Sequence, residues 1–324
     1  MKRAMMLVAA LVLSLVFVTT AAFAQAPVTV GIIQYASHPS LDNCTEGFLL
    51  GLAEGGYVQG ENLEIDFQNA MADMATSDMQ AKLMVSQGEQ MVVGVATPAA
   101  MSAYSATAES GTPVVFVAVS DAVAAGIVES NEVPNTNCTG VSDVLNLDAQ
   151  VQMIRAFLPE AKTIGIIYTV SEPNSITNLA KLREIAPEYG FAIEAIGITS
   201  ASEVSIAAGS LIQLGVDLIN NFTDNLVVEN LPAVLIACEE ANIPVFGSEV
   251  EQVVNGCLAT QGIDYVELGK AAGRMAAEVL KGADPMTMPV GLIDEVTPAY
   301  NSETLGALGL VLPAEYADAT DAAQ

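Results

Sequence analysis

Six loops in this chain place hydroxyls, amides and carboxylates directly after apolar runs. Gln34-Tyr35-Ala36-Ser37-His38 follows the run 28–33, and Ala96-Thr97-Pro98-Ala99 and Val119-Ser120-Asp121 follow two more. In the second half the same place is held by Tyr168-Thr169-Val170-Ser171-Glu172-Pro173-Asn174-Ser175, by Asn220-Asn221-Phe222-Thr223-Asp224-Asn225 and by Phe246-Gly247-Ser248-Glu249. Each loop runs into a stretch of helical spacing, whose first backbone N–H groups are free and attract an anion. A carboxylate therefore fits the Thr97 and Ser120 loops, held by hydroxyls and N–H groups without an arginine. An ammonium needs a carboxylate opposite it, and Asp121, Asp224 and Glu249 are the candidates. Tyr35, Tyr168 and Phe222 are the expected apolar or aromatic walls. Together these groups suit a zwitterionic amino acid. Any one such loop is explained as well by helix capping, because Ser, Thr and Asp are the usual caps. Six of them, spread over both halves, point to a site. The only histidine, His38, precedes Pro39, which predicts extended backbone and a structural or rim position.

These loops need elements that hold them along one edge. Strands are expected at 28–34, 62–68, 90–95, 113–118 and 137–142, then at 163–168, 191–198, 216–221, 243–246 and 256–261. Helices are expected at 41–55, 76–87, 98–109, 147–157, 173–189, 201–214, 227–241 and 264–281. In the last of these Tyr265, Leu268, Ala272, Met275 and Val279 recur at intervals of three and four. Asp264 and Glu267 form a capping pair at its start, and Gly282 and Pro285 mark its stop. Strand and helix alternating at this length define an α/β protein with parallel sheets covered by helices on both faces. Ten strands in two runs of five fit two sheets, with a boundary near 142–147. In such sheets ligands bind beyond the carboxyl ends of the strands, where the six loops lie.

Composition narrows the function classes. Lys2 and Arg3, the apolar run 4–18 and Ala22-Phe23-Ala24 read as a leader with an A-x-A cleavage site, residues 1–24. No cysteine stands at the cleavage point, and no later apolar run is long enough to span a membrane. Export to a bacterial periplasm is the expected localisation. With 10 basic and 38 acidic residues the net charge is −28, which repels nucleic acid and excludes that partner. Cys44, Cys138, Cys238 and Cys257 leave room for a bridge between Cys238 and Cys257, with free buried thiols as the alternative. Enzyme signatures are missing: there is no G-x-S-x-G elbow, no C-x-x-C, no H-E-x-x-H and no P-loop. No cofactor is implied. The tail after Pro313, rich in Ala, Asp and Thr, is expected to fray.

An ordered set of short motifs resembles the substrate-binding proteins of ABC importers, in the branch that binds tryptophan and related aromatic amino acids. It comprises Gly31-Ile32-Ile33-Gln34-Tyr35, His38-Pro39-Ser40-Leu41-Asp42, Ala96-Thr97-Pro98-Ala99-Ala100 and Thr139-Gly140-Val141-Ser142-Asp143. It continues through Gly165-Ile166-Ile167-Tyr168, Ser171-Glu172-Pro173-Asn174-Ser175, Asp224-Asn225 and Gly262-Ile263-Asp264-Tyr265. The resemblance implies a two-lobe type I periplasmic-binding fold, each lobe a parallel sheet flanked by helices. It implies lobes discontinuous in sequence: 25–142 with about 262–290, and 143–261 with about 291–324. Family-type contacts fall on the Thr97 loop, the Ser120–Asp121 loop, the Ser171–Ser175 loop and Asp224–Asn225. The expected ligand-binding set is thus Tyr35, Thr97, Ser120, Asp121, Tyr168, Ser171, Asn174, Ser175, Asp224, Asn225 and Ser248. A small-molecule ligand, an amino acid, and a membrane ABC permease are the expected partners. A ligand sensor for a signalling partner and an exported α/β enzyme are the alternatives. Two departures stand out: Asp121-Ala122 replaces the family's Asp-Pro, and Cys138 replaces an apolar residue.

Overall fold

The computed structural model describes residues 26–293 and 296–323; the expected leader lies outside them. The first sheet is built from β1 (Val28–Gln34), β2 (Leu63–Asn69), β3 (Met91–Val95), β4 (Val114–Val117) and β5 (Cys138–Asp143). Between these strands run α1 (Pro39–Glu54), α2 (Met74–Gln87) and α3 (Thr97–Thr107). The second sheet contains β6 (Thr163–Thr169), β7 (Ala192–Ile198), β8 (Leu218–Asn220) and β9 (Val245–Phe246), with β10 (Ala259–Gly262) beside it. Its helices are α4 (Leu147–Phe157), α5 (Pro173–Ile185), α6 (Val204–Leu214), α7 (Asn225–Glu229), α8 (Leu231–Ala241) and α9 (Val250–Val254). Helix α10 (Tyr265–Leu280) follows, then β11 (Gly291–Ile293), β12 (Thr297–Tyr300), α11 (Ser302–Ala307) and β13 (Thr320–Asp321).

The first sheet has the order β2-β1-β3-β4-β5-β11, and every pairing is parallel. The β-branched runs Met91–Val95 and Val114–Val117 are buried along their whole length, as strands covered on both faces must be. The second sheet, β7-β6-β8-β9, is also parallel. Its expected fifth strand, β10, touches β9 through Leu258 N–H to the Val245 carbonyl and Gly247 N–H to the Ala259 carbonyl, at 2.7 and 3.1 Å. It then pairs antiparallel with β12, which adds β13 in parallel. The chain passes between the two sheet systems after β5, after β10 and between β11 and β12.

Helix α10 returns to the first sheet and packs against α1. A Cβ at Gly47, Gly51, Gly269 or Gly273 would overlap backbone of the facing helix, so the two helix axes approach as closely as backbones allow. Asp264 caps α10 by accepting from Val266 N–H and Glu267 N–H at 2.9 and 3.0 Å. Separate apolar cores fill the two halves: one under the first sheet with α10, two on the faces of the second.

Four expectations need correction. The helix expected over 227–241 breaks at Asn230, because Pro232 in the new first turn has no N–H to give the old one. The helix expected over 173–189 tightens to a 3-10 turn at Ala186–Tyr189, again around a proline, Pro187. The tail after Pro313 is held: Thr320–Asp321 pairs with β12, and the Tyr316 ring lies 5.8 Å from that of Phe157. Gly291–Ile293, assigned to the second lobe by the border near 291, joins the first sheet beside β5. The four cysteines are free and buried, which is the alternative to a bridge between Cys238 and Cys257.

Candidate ligand-binding site

The carboxyl ends of β1, β3, β4 and β5 face the loops after β8 and β9 across a cleft. Within it lies a small cavity. The first sheet contributes His38, Leu41, Ala96, Thr97, Ala118 and Ser120 to its wall. The opposite wall is Asn174, Thr223, Asn225 and Glu249, with Asp143 and Tyr265 where the chain crosses between the sheet systems.

Local structure explains each position. Thr97 opens α3 after Ala96, whose φ of 78° and ψ of 157° lie in a region that non-glycine residues almost never occupy. Ala118, after β4, has φ 56°. Two strained alanines on one wall mark a turn held by its surroundings, and their small side chains leave the cavity its width. The loop carrying His38 is braced by Gln34, whose amide donates to the Ala36 carbonyl and Asp42 Oδ1 at 2.8 and 2.7 Å. Thr45 Oγ1 donates to Gln34 Oε1 at 2.7 Å, which ties the loop to α1.

Three wall residues carry a buried polar atom without a partner: Thr97 Oγ1, Asn174 Oδ1 and His38 Nδ1. Asn174 spends its amide protons on Glu172 and the Thr223 carbonyl, at 3.2 and 3.0 Å. His38 Nε2 faces Asn225 Oδ1 at 3.4 Å, and since that oxygen only accepts, Nε2 carries the proton and Nδ1 is a bare acceptor. Burial holds the imidazole neutral, with its pKa lowered to about 4. Burial also raises the two wall carboxyls. Asp143 is pushed up to about 6, although Tyr265 Oη and Ser120 Oγ donate to it at 2.8 and 3.3 Å. Glu249 is pushed up to about 8 by burial and the nearby Glu251, although Gln252 Nε2 and Ser40 Oγ donate to it at 2.7 and 2.8 Å. Among the described residues, no lysine or arginine lines the wall. The site is rich in acceptors and acids, and it lacks a cation.

The two halves touch directly around the cavity. Ser40 Oγ on α1 donates to Glu249, and Asn43 Nδ2 donates to Glu251 Oε1 at 2.8 Å. Lys181 on α5 pairs with Asp121 at 3.0 Å on the exposed rim. The cleft is closed in this structure.

Of the residues expected from sequence, Thr97, Ser120, Asn174 and Asn225 meet in the wall. The others stand elsewhere. Asp224 is fully buried behind the wall and accepts from Thr169 N–H, Thr169 Oγ1, Ser175 Oγ and Val227 N–H at 2.6 to 3.0 Å. That is a structural role for Asp224 and Ser175, in place of an ammonium partner. Tyr35 is buried with its hydroxyl on the Ala72 carbonyl at 3.1 Å. Phe222 belongs to the core of the second half, and Tyr168 packs over Gly197. Asp121 lies on the rim with Lys181, Ser171 is exposed, and Ser248 donates to the Asn221 carbonyl at 2.7 Å. Sequence reasoning left Asp143 and Tyr265 out of the binding set. Tyr265 was read as a core position of its helix and as part of a family-type motif, yet it supplies the aromatic wall.

A two-lobed α/β chain with such a cavity between its lobes is a solute-binding protein of the type I periplasmic-binding fold. The chain belongs to the ABC transporter substrate binding protein family, whose model matches residues 29–321. It is 40% identical over 281 residues to a tyrosine-binding protein of Clostridioides difficile, covering 87% of this chain and 81% of that protein. Among solved structures it resembles an ABC domain in complex with L-Trp from Streptococcus pneumonia, at 34% identity and TM-score 0.87, covering 91% of this chain and 99% of the other. It also resembles the ligand-free, open structure of a substrate binding protein with adhesive properties from Clostridium difficile, at 38% identity and TM-score 0.68, covering 90% and 98%. The superposition is better on the ligand complex although its sequence is the more distant. Among the described residues, no helix is long and apolar enough to cross a membrane.

Proposed function

We propose that this protein is an extracytoplasmic receptor that captures an aromatic amino acid between its lobes and presents it to the permease of an ABC importer. The observation that carries this reading is the set of unpaired polar atoms in the cavity wall, on Thr97, Asn174 and His38. A buried polar atom without a partner costs about 1–3 kcal/mol, so a wall with three of them gains from a ligand that pairs them. Two are acceptors, and the carboxyls of Asp143 and Glu249 stand beside them without a protein cation. An ammonium group answers both. The Thr97 hydroxyl and the first N–H groups of α3 answer a carboxylate. Ala96, Ala118, Leu41 and Tyr265 leave an apolar space for the side chain. The choice of an aromatic side chain rests on the tyrosine-binding relative and the L-Trp complex.

The lobes are taken as 26–142 with about 262–293, and 143–261 with about 296–323. Closure depends on ligand contacts to both: Thr97 and His38 come from one, Asn174 and Glu249 from the other. No chemistry on the ligand is proposed, because the only histidine contacts an amide and no nucleophile. The leader 1–24 would direct the protein to the periplasm, where it meets the permease. Native mass spectrometry of protein purified without denaturation tests the ligand assignment. A bound mass equal to tyrosine, tryptophan or phenylalanine is expected; a sugar or a nucleoside would contradict it.

A further inference from the structure

A second hollow lies outside the cavity. It is a groove between the start of α1 and helices α7, α8 and α9. Leu231, Pro232, Leu235 and the exposed Ile236 give it an apolar floor, and Glu229, Glu239 and Glu251 line it with carboxylates. Groove and cavity share one wall residue, His38. Its side chain is 5% exposed, its backbone is extended ahead of Pro39, and Gln34 and Thr45 brace the loop beneath it. Across the cleft it meets Asn225.

We infer that His38 is the partition that limits the ligand to a single amino acid, and that the groove behind it is a closed-off subsite for an extension with an aliphatic stem and a cationic end. This rests on the amino-acid reading above. His38 lines both hollows, so a ligand extended by a peptide bond from the cavity toward the groove meets the imidazole. An apolar floor with carboxylates around it is the environment a lysine side chain takes, with its stem on the floor and its ammonium at the rim. Bulk, and not charge, does the excluding, since burial keeps the ring neutral.

The test measures the affinities of L-tyrosine, L-tyrosyl-L-lysine and L-lysyl-L-tyrosine by calorimetry. The proteins are the wild type and His38→Gly, His38→Ala and His38→Gln, each checked for folding by its melting temperature. In the wild type both dipeptides should bind about 100-fold more weakly than tyrosine or worse, the scale of discrimination a steric wall provides. At least one dipeptide should gain about tenfold or more in His38→Gly or His38→Ala, worth about 1.4 kcal/mol, and His38→Gln should keep the exclusion. A folded glycine or alanine variant with no gain for either dipeptide would overturn the partition. So would a wild type that binds a dipeptide as well as tyrosine. A wild type that binds no amino acid would instead overturn the ligand reading, and the dipeptide comparison would still decide the role of His38.

Discussion

Thr97 and Asp224 show the two uses of a polar side chain at the end of a strand. The Thr97 hydroxyl is buried and unpaired, so the unliganded protein gains nothing from it. Thr97→Val should leave the melting temperature of the ligand-free protein unchanged or raise it, while weakening amino-acid binding by about 1–3 kcal/mol, measured by calorimetry. Asp224 is the opposite case, with four donors on one carboxylate. Asp224→Ala should cost about 3 kcal/mol of stability or more, visible in denaturant melts with or without ligand. The two residues are indistinguishable in sequence: each lies in a polar loop before a helix, and only the fold decides which faces the cavity. Glu249 and Asp143 add a pH dependence. Their carboxyls are raised to about 8 and about 6 in the fold, above the ordinary values of 4.5 and 3.8. Between those limits the folded chain holds protons that the unfolded chain releases, so stability falls as pH rises. The melting temperature of the ligand-free protein should drop from about pH 4.5 to about pH 8. An arriving ammonium favours the ionised carboxylates. Binding should therefore release protons and tighten over the same range, which calorimetry in two buffers of different ionisation enthalpy detects.

At the scale of elements, the site depends on how closely α1 packs on α10. Gly47 and Gly51 on α1 and Gly269 and Gly273 on α10 are each four residues apart, so each pair lies on one helical face. A methyl group at Gly273 would meet the Phe48 carbonyl. Gly273→Ala should push the helices apart and cost about 1–3 kcal/mol, read from the denaturation midpoint. Strands and most helices were legible from alternating apolar runs, because burial on both faces leaves few other readings of segments such as Val114–Val117. The short C-terminal elements were not. Strand β11 and strand β12 are three and four residues long, and their pairing partners are distant in sequence. The breaks at Pro187 and Pro232 were visible as prolines, but apolar spacing on either side carried the helix through them. The loops after the strands were legible as a group, and four of the expected binding residues, Thr97, Ser120, Asn174 and Asn225, do meet in the wall. Tyr265 was hidden because helical spacing marks a core residue and a wall residue alike.

The whole molecule works as two lobes that share one cavity. Two of their direct contacts, Ser40 with Glu249 and Asn43 with Glu251, join α1 to the start of α9. The net charge of −28 keeps the surface acidic and leaves cationic groups scarce near the cleft, so the ligand's own ammonium is the cation this site lacks. Melting temperature across the twenty amino acids, with sugars and purines as controls, on protein freed of carried-over ligand, is the most direct measurement of amino-acid capture. A ligand at 100 times its dissociation constant stabilises the fold by about 2.7 kcal/mol, well within reach of a melt. A rise confined to tyrosine, tryptophan and phenylalanine is the expected result; a rise with a sugar or purine, or none with any amino acid, would contradict it.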